Sequence, residues 1–260
     1  MKTPDCNRCR ESQTLDLEIT MAFQPILNVA DRHAHAYEAL VRGANGEGAG
    51  TVLSQVSEAT RYSFDQQCRT SAIRTASGLG LKDHEHAPLL SINFLPNAVY
   101  EPRACIRQTL AVAMETGFPL NRIMFEFTEN ERLDTDHLLN ILRTYRSMGF
   151  LTAIDDFGAG YSGLNLLAAF QPDFIKLDMD LIRNVDRDRA KQVIVDNVLT
   201  MARDLGVTPI CEGVETAAEC ETLGDMGVSL MQGYFFARPE IEALPAASWS
   251  GDAARASAAG

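Results

Sequence analysis

The chain has 260 residues, 46 % of them hydrophobic, and a formal net charge of −12, so collagen-like, fibrous and wholly disordered classes are excluded. The acidic balance opposes broad binding to a nucleic-acid backbone, although a small anionic ligand remains compatible if cations hold it. No apolar run reaches about 18 residues and the polar N-terminus lacks the apolar segment of a secretory signal, so we expect a cytoplasmic protein.

Short apolar runs alternate with longer amphipathic stretches along most of the chain. Strands are predicted at 21–29, 35–42, 88–94, 122–129, 150–156, 173–178, 207–213 and 229–236. Helices are predicted near 51–59, 62–79, 101–117, 135–148, 162–170, 187–205 and 216–226. This alternation predicts an α/β fold of parallel strands with crossover helices, and eight strands match a (β/α)8 TIM-type barrel. An open doubly wound sheet is the alternative, although its glycine-rich phosphate fingerprint is missing after the first strand.

The two ends of the chain differ in composition from this alternating region. We expect a flexible N-terminal segment at 1–19, the barrel at 20–243 and a disordered tail rich in Ala and Ser at 244–260. Cys6 and Cys9 have the spacing of half a zinc site. No second pair follows, so a tail that carries two reduced thiols is the simpler interpretation.

Polar residues recur where the predicted strands end. Those at the ends are Asn93, Glu126, Glu129, Asp155, Asp156, Lys176, Asp178 and Glu212, and two more, Glu38 and Gln232, lie within the runs 35–42 and 229–236. In a barrel these ends converge on one mouth, which is where barrel enzymes carry out their chemistry. Carboxylates gathered around a single lysine repel one another unless divalent cations neutralise them. Oxygen ligands suit Mg²⁺ or Mn²⁺ better than Zn²⁺, and a two-metal oxygen site is typical of phosphoester cleavage.

The sequence DDFGAGYSG at 155–163 places three glycines directly after the acidic pair. Glycines permit a tight or mobile backbone, and functional residues concentrate on loops. We therefore expect a loop that moves over the site, with a simple strand-to-helix turn as the alternative.

Taken together, these segments resemble the EAL-domain family of cyclic di-GMP phosphodiesterases, in the family's order and spacing over about residues 20–240. The matching motifs are FQPI (23–26), Glu38-Ala39-Leu40, SINF (91–94), FEFTE (125–129), DDFGAGYSG (155–163), DFIKLD (173–178), CEGVET (211–216) and MQGYFFARP (231–239). The resemblance refines the all-parallel prediction, because it implies a barrel with one strand antiparallel to the rest.

The resemblance also implies residue roles. One metal would be held by Glu38, Asn93, Glu126 and Asp155, and the second by Asp155, Asp156 and Glu212. Lys176 would position or deprotonate the attacking water, and the implied catalytic residues are Glu38, Asp156, Lys176 and Glu212. The implied substrate contacts are Gln24, Leu40, Arg42, Asp178 and Gln232, and Glu129 would anchor the glycine loop.

The implied reaction is hydrolysis of one phosphodiester bond of cyclic di-GMP to linear pGpG, with two Mg²⁺ or Mn²⁺ ions as cofactors. One alternative is a catalytically silent cyclic di-GMP receptor that signals through a protein partner. Another is a barrel lyase or aldolase that uses Lys176 as a Schiff-base amine, which the surrounding carboxylates disfavour.

The family further implies a homodimer through helices near 155–163, and the segment 161–170 is amphipathic enough to contribute. We expect any sensory input to come from a separate sensor or regulator protein, or from the first 20 residues.

Overall fold

One nine-stranded sheet closes into a barrel around its first eight strands. The computed structural model describes residues 15, 17–128, 134–160 and 163–249. The sheet order is β2-β3-β4-β5-β6-β7-β8-β1-β9, and β1 pairs back onto β2 to complete the ring. This closed ring confirms the α/β TIM-type barrel and excludes the open doubly wound sheet.

The elements occupy the following positions. The strands are β1 Ile19–Asn28, β2 His33–Gly43, β3 Leu89–Asn93, β4 Ile123–Thr128, β5 Leu151–Phe157, β6 Phe174–Leu177, β7 Thr208–Cys211, β8 Leu230–Met231 and β9 Glu240–Ile241. The helices are α1 Ala49–Leu53, α2 Arg61–Gly78, α3 Pro102–Cys105, α4 Arg107–Thr116, α5 Thr135–Ser147, α6 Gly163–Ala169, α7 Met179–Ile182, α8 Arg189–Leu205 and α9 Ala217–Asp225. The short strand β9 and the short helix α7 were not predicted from the sequence.

Strand β1 is the reversed strand of the barrel. It runs antiparallel to β2, with Gln24 opposite Glu38, and antiparallel to β8, whereas the pairs from β2 to β8 are parallel. Only residues 29–32 join β1 to β2, which is too short for the crossover that parallel strands need. The all-parallel prediction is therefore wrong at β1, and the antiparallel strand implied by the family resemblance is confirmed.

A small apolar cluster fills the barrel interior. Its members are Ile26, Ala36, Met124, Ala153, Phe174, Ile210 and Leu230. Side chains of a strand alternate between its two faces, so the next inward positions toward the strand ends are Glu38, Glu126, Asp155, Lys176, Glu212 and Gln232. The barrel thus carries a polar layer directly above an apolar one, while a larger outer core packs the helices against the strands.

Two helix caps are present with their hydrogen bonds. The Asp134 carboxylate accepts from the backbone N–H groups of Asp136 and His137, and Thr216 and Glu219 form a reciprocal capping box at the start of α9. Such caps satisfy backbone donors that the first helical turn leaves unpaired. They fix where α5 and α9 begin.

Residues 244–249 contact the barrel. The Tyr37 hydroxyl donates to the backbone oxygen of Pro245 at 3.3 Å, and the Trp249 ring lies edge-on to Phe236 with centroids 6.0 Å apart. The predictions for Cys6, Cys9 and most of the two terminal segments lie outside the described residues, and the domain boundaries stay predictions. Among the described helices, none has the length and apolarity to cross a bilayer.

Candidate functional site

Lys176 lies at the centre of the polar layer, with a side chain that is 1 % exposed. Its ammonium nitrogen is surrounded by one carboxylate from each of four strands or strand ends. The distances are 2.6 Å to Glu212 Oε1, 2.8 Å to Glu126 Oε2, 3.2 Å to Asp155 Oδ1 and 3.5 Å to Glu38 Oε2. The barrel register therefore brings residues that are far apart in sequence into one ring of charge.

The surroundings of Lys176 determine its charge. Burial alone lowers the pKa of this amine, but Asp155, Glu126 and the other carboxylates outweigh burial and raise the pKa well above its ordinary value. An amine with a raised pKa stays protonated at neutral pH. The carboxylate ring thus favours a cationic lysine over a Schiff-base amine.

The carboxylates of the ring differ from one another. Burial raises the pKa of Glu126 to about 8 and that of Glu212 well above its ordinary value, although Lys176 opposes both shifts. Burial also raises the pKa of Glu38, but Lys176 and two amide side chains outweigh burial, so the net shift is downward. Glu38 is therefore the best stabilised anion of these three.

Amide side chains fix Glu38. Asn93 Nδ2 donates to Oε1 at 2.9 Å, and Gln232 Nε2 donates to Oε2 at 2.8 Å. Gln232 also reaches Gln24 Oε1 at 3.3 Å, and Gln24 in turn donates to the backbone oxygen of Ala237 at 3.1 Å. This chain of hydrogen bonds spans the junction between β1, β2 and β8, so the closure of the barrel orients the carboxylate.

Asp156 enters the cleft because the end of β5 is irregular. Consecutive residues of a regular strand point to opposite faces, but the β5–β6 register shifts between Ile154 and Phe157, and Asp156 has a φ of 53°. Asp155, Asp156 and Glu212 consequently offer carboxylate oxygens that all lie within 4.8 Å of one another. Within the described ranges this is the one group of that kind.

This donor set fits a hard divalent cation. The three clustered ligand atoms are oxygens, as Mg²⁺ and Mn²⁺ prefer. Two buried oxygens nearby, Glu126 Oε1 and Gln232 Oε1, have no hydrogen-bond partner. Burial, followed by the Asp155 charge, raises the pKa of Asp156 to about 6. The excess of carboxylates over the single lysine provides the negative charge that a cation would neutralise.

A cleft of about 230 Å³ opens above the polar layer. It is lined by six residues predicted for the site, namely Gln24, Glu38, Asp156, Asp178, Glu212 and Gln232, and by Met179, Gly213, Glu215, Gly233 and Tyr234, which were not predicted. Tyr234 is 51 % exposed although it stands in an apolar run. Its position directly after Gln232-Gly233 was the sequence signal that could have identified it.

Three predicted site residues lie beside the cleft rather than in its lining. Leu40 and Asn93 line a second, apolar cavity of about 310 Å³ beside the cleft, between β2, β3 and the helices α1 and α2. Arg42 lines neither cavity, and its Nη1 donates to the backbone oxygen of Val41 at 2.7 Å. Asp178 lines the cleft and also caps α7 through the Asp180 N–H. Glu129 and part of the predicted moving loop, residues 161 and 162, lie outside the described residues.

Comparisons with known proteins identify similar sequences and folds. A family model for the EAL domain matches residues 8–239. The crystal structure of a standalone EAL protein from Vibrio cholerae O395, in its c-di-GMP-bound form, is 53 % identical and superposes with a TM-score of 0.86, covering 90 % of this chain and 98 % of that one. Klebsiella pneumoniae BlrP1 in a manganese and cyclic di-GMP complex is 35 % identical with a TM-score of 0.81, covering 89 % of this chain and 58 % of that one.

Curated relatives are longer than the chain. The blue light- and temperature-regulated antirepressor BluF of Escherichia coli K12 is 29 % identical over 229 residues, which are 88 % of this chain and 56 % of that protein. The cyclic di-GMP phosphodiesterase RocR of Pseudomonas aeruginosa is 36 % identical over 142 residues, 54 % of this chain and 36 % of that protein. The chain therefore spans between about a third and somewhat more than half of these two relatives.

Proposed function

The chain belongs to the EAL domain family, and on that premise we propose that it is a metal-dependent phosphodiesterase that hydrolyses cyclic di-GMP to linear pGpG. The observation that carries the proposal is the ring of four carboxylates around Lys176, beside the clustered oxygens of Asp155, Asp156 and Glu212. A related structure from K. pneumoniae holds manganese and cyclic di-GMP together, and RocR is named a cyclic di-GMP phosphodiesterase.

Two groups of residues are proposed to hold the two divalent ions. Asp155, Asp156 and Glu212 would hold one ion, and the other would be held by Glu38, Asn93, Glu126 and Asp155. Asn93 donates through its amide nitrogen to Glu38, which leaves its amide oxygen as the available ligand atom. When bound, Mg²⁺ or Mn²⁺ would supply Lewis-acid stabilisation of phosphoryl oxygens and acidify a coordinated water.

The side chains of this protein would contribute orientation and charge. Lys176, held as a cation by its ring of carboxylates, would orient the attacking water and stabilise the negative charge that develops on the phosphoryl oxygens. Glu38, fixed by two amides, would keep its geometry as the substrate enters. The planar ring of Tyr234 and the thioether of Met179 line the cleft, where they offer an apolar surface to a nucleobase.

The test is hydrolysis of cyclic di-GMP by the purified protein with Mg²⁺ or Mn²⁺, beside a chelator-treated sample. We expect pGpG only when the metal is present. Glu38→Gln should lower turnover at least about a hundredfold, because it removes a charged ligand without changing the shape of the site. Glu240→Gln, an exposed carboxylate on β9, is the matched control and should retain wild-type turnover. Product formation that persists after chelation would contradict the proposal.

A cyclic di-GMP receptor is the second candidate function. The observation that favours it is the similarity over 88 % of the chain to BluF, a protein named as an antirepressor. A receptor would bind cyclic di-GMP with a dissociation constant that calorimetry can measure, yet it would release no pGpG in the presence of Mn²⁺. The hydrolysis assay therefore separates the two candidates.

We further propose that the protein is a homodimer that contacts its partner copy through α6, beside the 155–163 loop. Leu164 on α6 is 64 % exposed, so its apolar side chain is available to a partner copy. Light scattering should give a dimeric mass for the wild type and a monomeric mass for Leu164→Glu. A monomeric wild type at working concentration would refute this proposal. We also propose that a separate sensor or regulator protein acts on this chain, whether the chain is monomeric or dimeric.

A further inference from the structure

A fully buried arginine lies behind the strands that carry Asn93 and Glu126. Arg69 on α2 is 0 % exposed, and its Nε lies 2.8 Å from Asp65 Oδ2, one helical turn earlier. Its Nη1 donates to the hydroxyl of Tyr145 on α5 at 2.8 Å. A buried ion pair adds little net stability over an apolar replacement, because desolvation offsets the attraction between the charges. The placement of this pair therefore calls for a role beyond packing.

The guanidinium of Arg69 packs beside two aromatic rings, that of Phe94 directly after β3 and that of Phe125 within β4. Its central carbon lies 5.2 Å from the centroid of the Phe94 ring and 5.0 Å from that of Phe125. Because strand residues alternate in direction, the inward-facing neighbours of these two rings are Asn93 and Glu126. Arg69 thus packs on the outer side of β3 and β4, next to the two inward-facing residues, Asn93 and Glu126, that are proposed metal ligands.

Backbone contacts join the same clamp to the strand ends. Asp65 Oδ1 accepts from the N–H of Leu95 at 2.9 Å, which fixes the chain two residues beyond Asn93. The Phe94 N–H donates to the backbone oxygen of Glu126 at 2.9 Å. Asp65, Arg69 and Tyr145 form one network, hereafter the outer clamp, which ties α2 and α5 to the ends of β3 and β4.

We propose that the outer clamp positions Asn93 and Glu126 for divalent-metal binding, so that Asp65, Arg69 and Tyr145 are positioning residues of the site. The inference rests on the proposed function only for the identity of the metal site. Metal ligands tolerate misplacement of about half an ångström, and loss of an outer partner typically weakens affinity 10- to 100-fold. A purely structural clamp would lower thermal stability and leave metal affinity unchanged.

The experiment compares Mn²⁺ affinity with thermal stability. The double variant Asp65→Asn/Arg69→Met removes both charges and approximately keeps the side-chain volume. Replacing both partners of a buried ion pair destabilises a protein less than removing one of them. We expect it to fold with a midpoint of unfolding near that of the wild type and to bind Mn²⁺ at least about tenfold more weakly in an electron paramagnetic resonance titration. Arg74→Met, an exposed arginine of the same helix, should bind Mn²⁺ with wild-type affinity.

Tyr145→Phe covers the case in which the double variant does not fold. It removes one hydroxyl and keeps the ring, so we expect about a threefold loss of Mn²⁺ affinity. If the double variant folds and binds Mn²⁺ with wild-type affinity, the inference is overturned. If the double variant does not fold, wild-type Mn²⁺ affinity in Tyr145→Phe overturns the inference. A wild type that binds no Mn²⁺ would overturn it as well. A wild type that binds Mn²⁺ but forms no pGpG would refute the proposed hydrolysis, and the affinity comparison would still decide the inference.

Discussion

Lys176 carries the positive charge that four carboxylates share, and its replacement by methionine separates electrostatic effects from those of packing. Methionine fills a similar volume but leaves Glu126, Glu212 and their neighbours to repel one another. We expect Lys176→Met to unfold at a lower temperature without metal, and to gain more stability from Mn²⁺ than the wild type does, since the cation replaces the missing charge. Turnover should fall at least about a hundredfold.

Thermal melts with and without Mn²⁺ measure this prediction. Lys82→Met is the control. Lys82 donates to the backbone oxygen of Thr116, and neither residue lines the cavities described above. An equal Mn²⁺-induced shift in Lys176→Met and in the wild type would show that the ammonium does not neutralise the ring.

His35 gives the fold a dependence on pH that is independent of the cleft. Its Nε2 is buried without a hydrogen-bond partner, and its ring packs on Phe174 in the barrel interior. Burial, followed by the charge of His33, lowers the pKa of His35 below its ordinary value of 6.5. Above that pH both folded and unfolded states keep the ring neutral. As the pH falls through 6.5 the unfolded state takes up a proton that the folded state resists, so stability declines.

Denaturant titrations at about pH 7.5 and about pH 5.5 bracket the ordinary histidine pKa. We expect His35→Gln to lose less free energy of unfolding between these two pH values than the wild type loses. His84→Gln changes an exposed histidine and should behave as the wild type does. An identical loss in all three proteins would contradict the role assigned to His35.

Individual site residues differ in how far the sequence predicts them. Asp155 and Glu212 could be predicted because each ends an apolar run, and strand ends meet at one mouth. Glu38 could be predicted as a carboxylate inside the apolar run 35–42. Asp156 should have faced away from the cleft by strand alternation, and only its left-handed backbone brings it in. Arg69 could not be predicted, because a charged residue on a helix is expected on the solvent face unless its buried partners are known.

At the scale of elements, the N-terminal cap of α9 makes hydrogen bonds beyond those that the sequence pattern predicts. The pattern of Thr216 and Glu219 predicts a capping box, and the structure contains it. The Glu219 carboxylate also accepts from the N–H groups of Asn184 at 2.7 Å and Glu215 at 3.0 Å. These two contacts join the segment after α7 to the loop after β7, which carries Glu215 to the edge of the cleft.

Glu219→Ala should therefore cost more than loss of a helix cap. We expect the free energy of unfolding to fall by about 2 kcal/mol, because several charge-assisted hydrogen bonds disappear and their donors stay partly buried. Thr216→Ala, which removes the cap alone, should cost about 1 kcal/mol. Chemical denaturation of both variants, with exposed Glu221→Ala as control, measures the difference. Equal losses in the first two variants would contradict the wider role of Glu219.

At the scale of the whole molecule, the closed barrel was predictable from the alternation of strands and helices, but the direction of β1 was not. Alternation alone predicts parallel strands, and the turn at 29–32 is too short to allow that between β1 and β2. Strand β9 has two residues, which is below the length at which a period of two can be recognised. It pairs with β1 at Ala22 and Phe23, and the chain then continues into residues 244–249.

These last described residues should stabilise the barrel rather than form part of a loose tail. A turn rather than a helix follows β1. In place of a helix, β9 pairs with β1, and the segment that carries Pro245 and Trp249 packs against Tyr37 and Phe236. The guanidinium of Arg32 also lies 5.1 Å from the Trp249 ring. Ending the chain after Ala243 would expose the Phe236 ring and leave the Tyr37 hydroxyl without its carbonyl partner.

We expect a chain that ends at Ala243 to lose about 2 kcal/mol of unfolding free energy, roughly half the usual cost of deleting a fully buried tryptophan. A chain that ends at Trp249 is the matched control and should keep wild-type stability. Because Phe236 and Trp249 do not line the cleft, cyclic di-GMP hydrolysis per folded molecule should be unchanged in both chains at a temperature well below unfolding. Equal stability of the two truncated chains would instead support the composition-based prediction that the barrel ends at 243, since the contacts of Trp249 would then contribute nothing to the folded state.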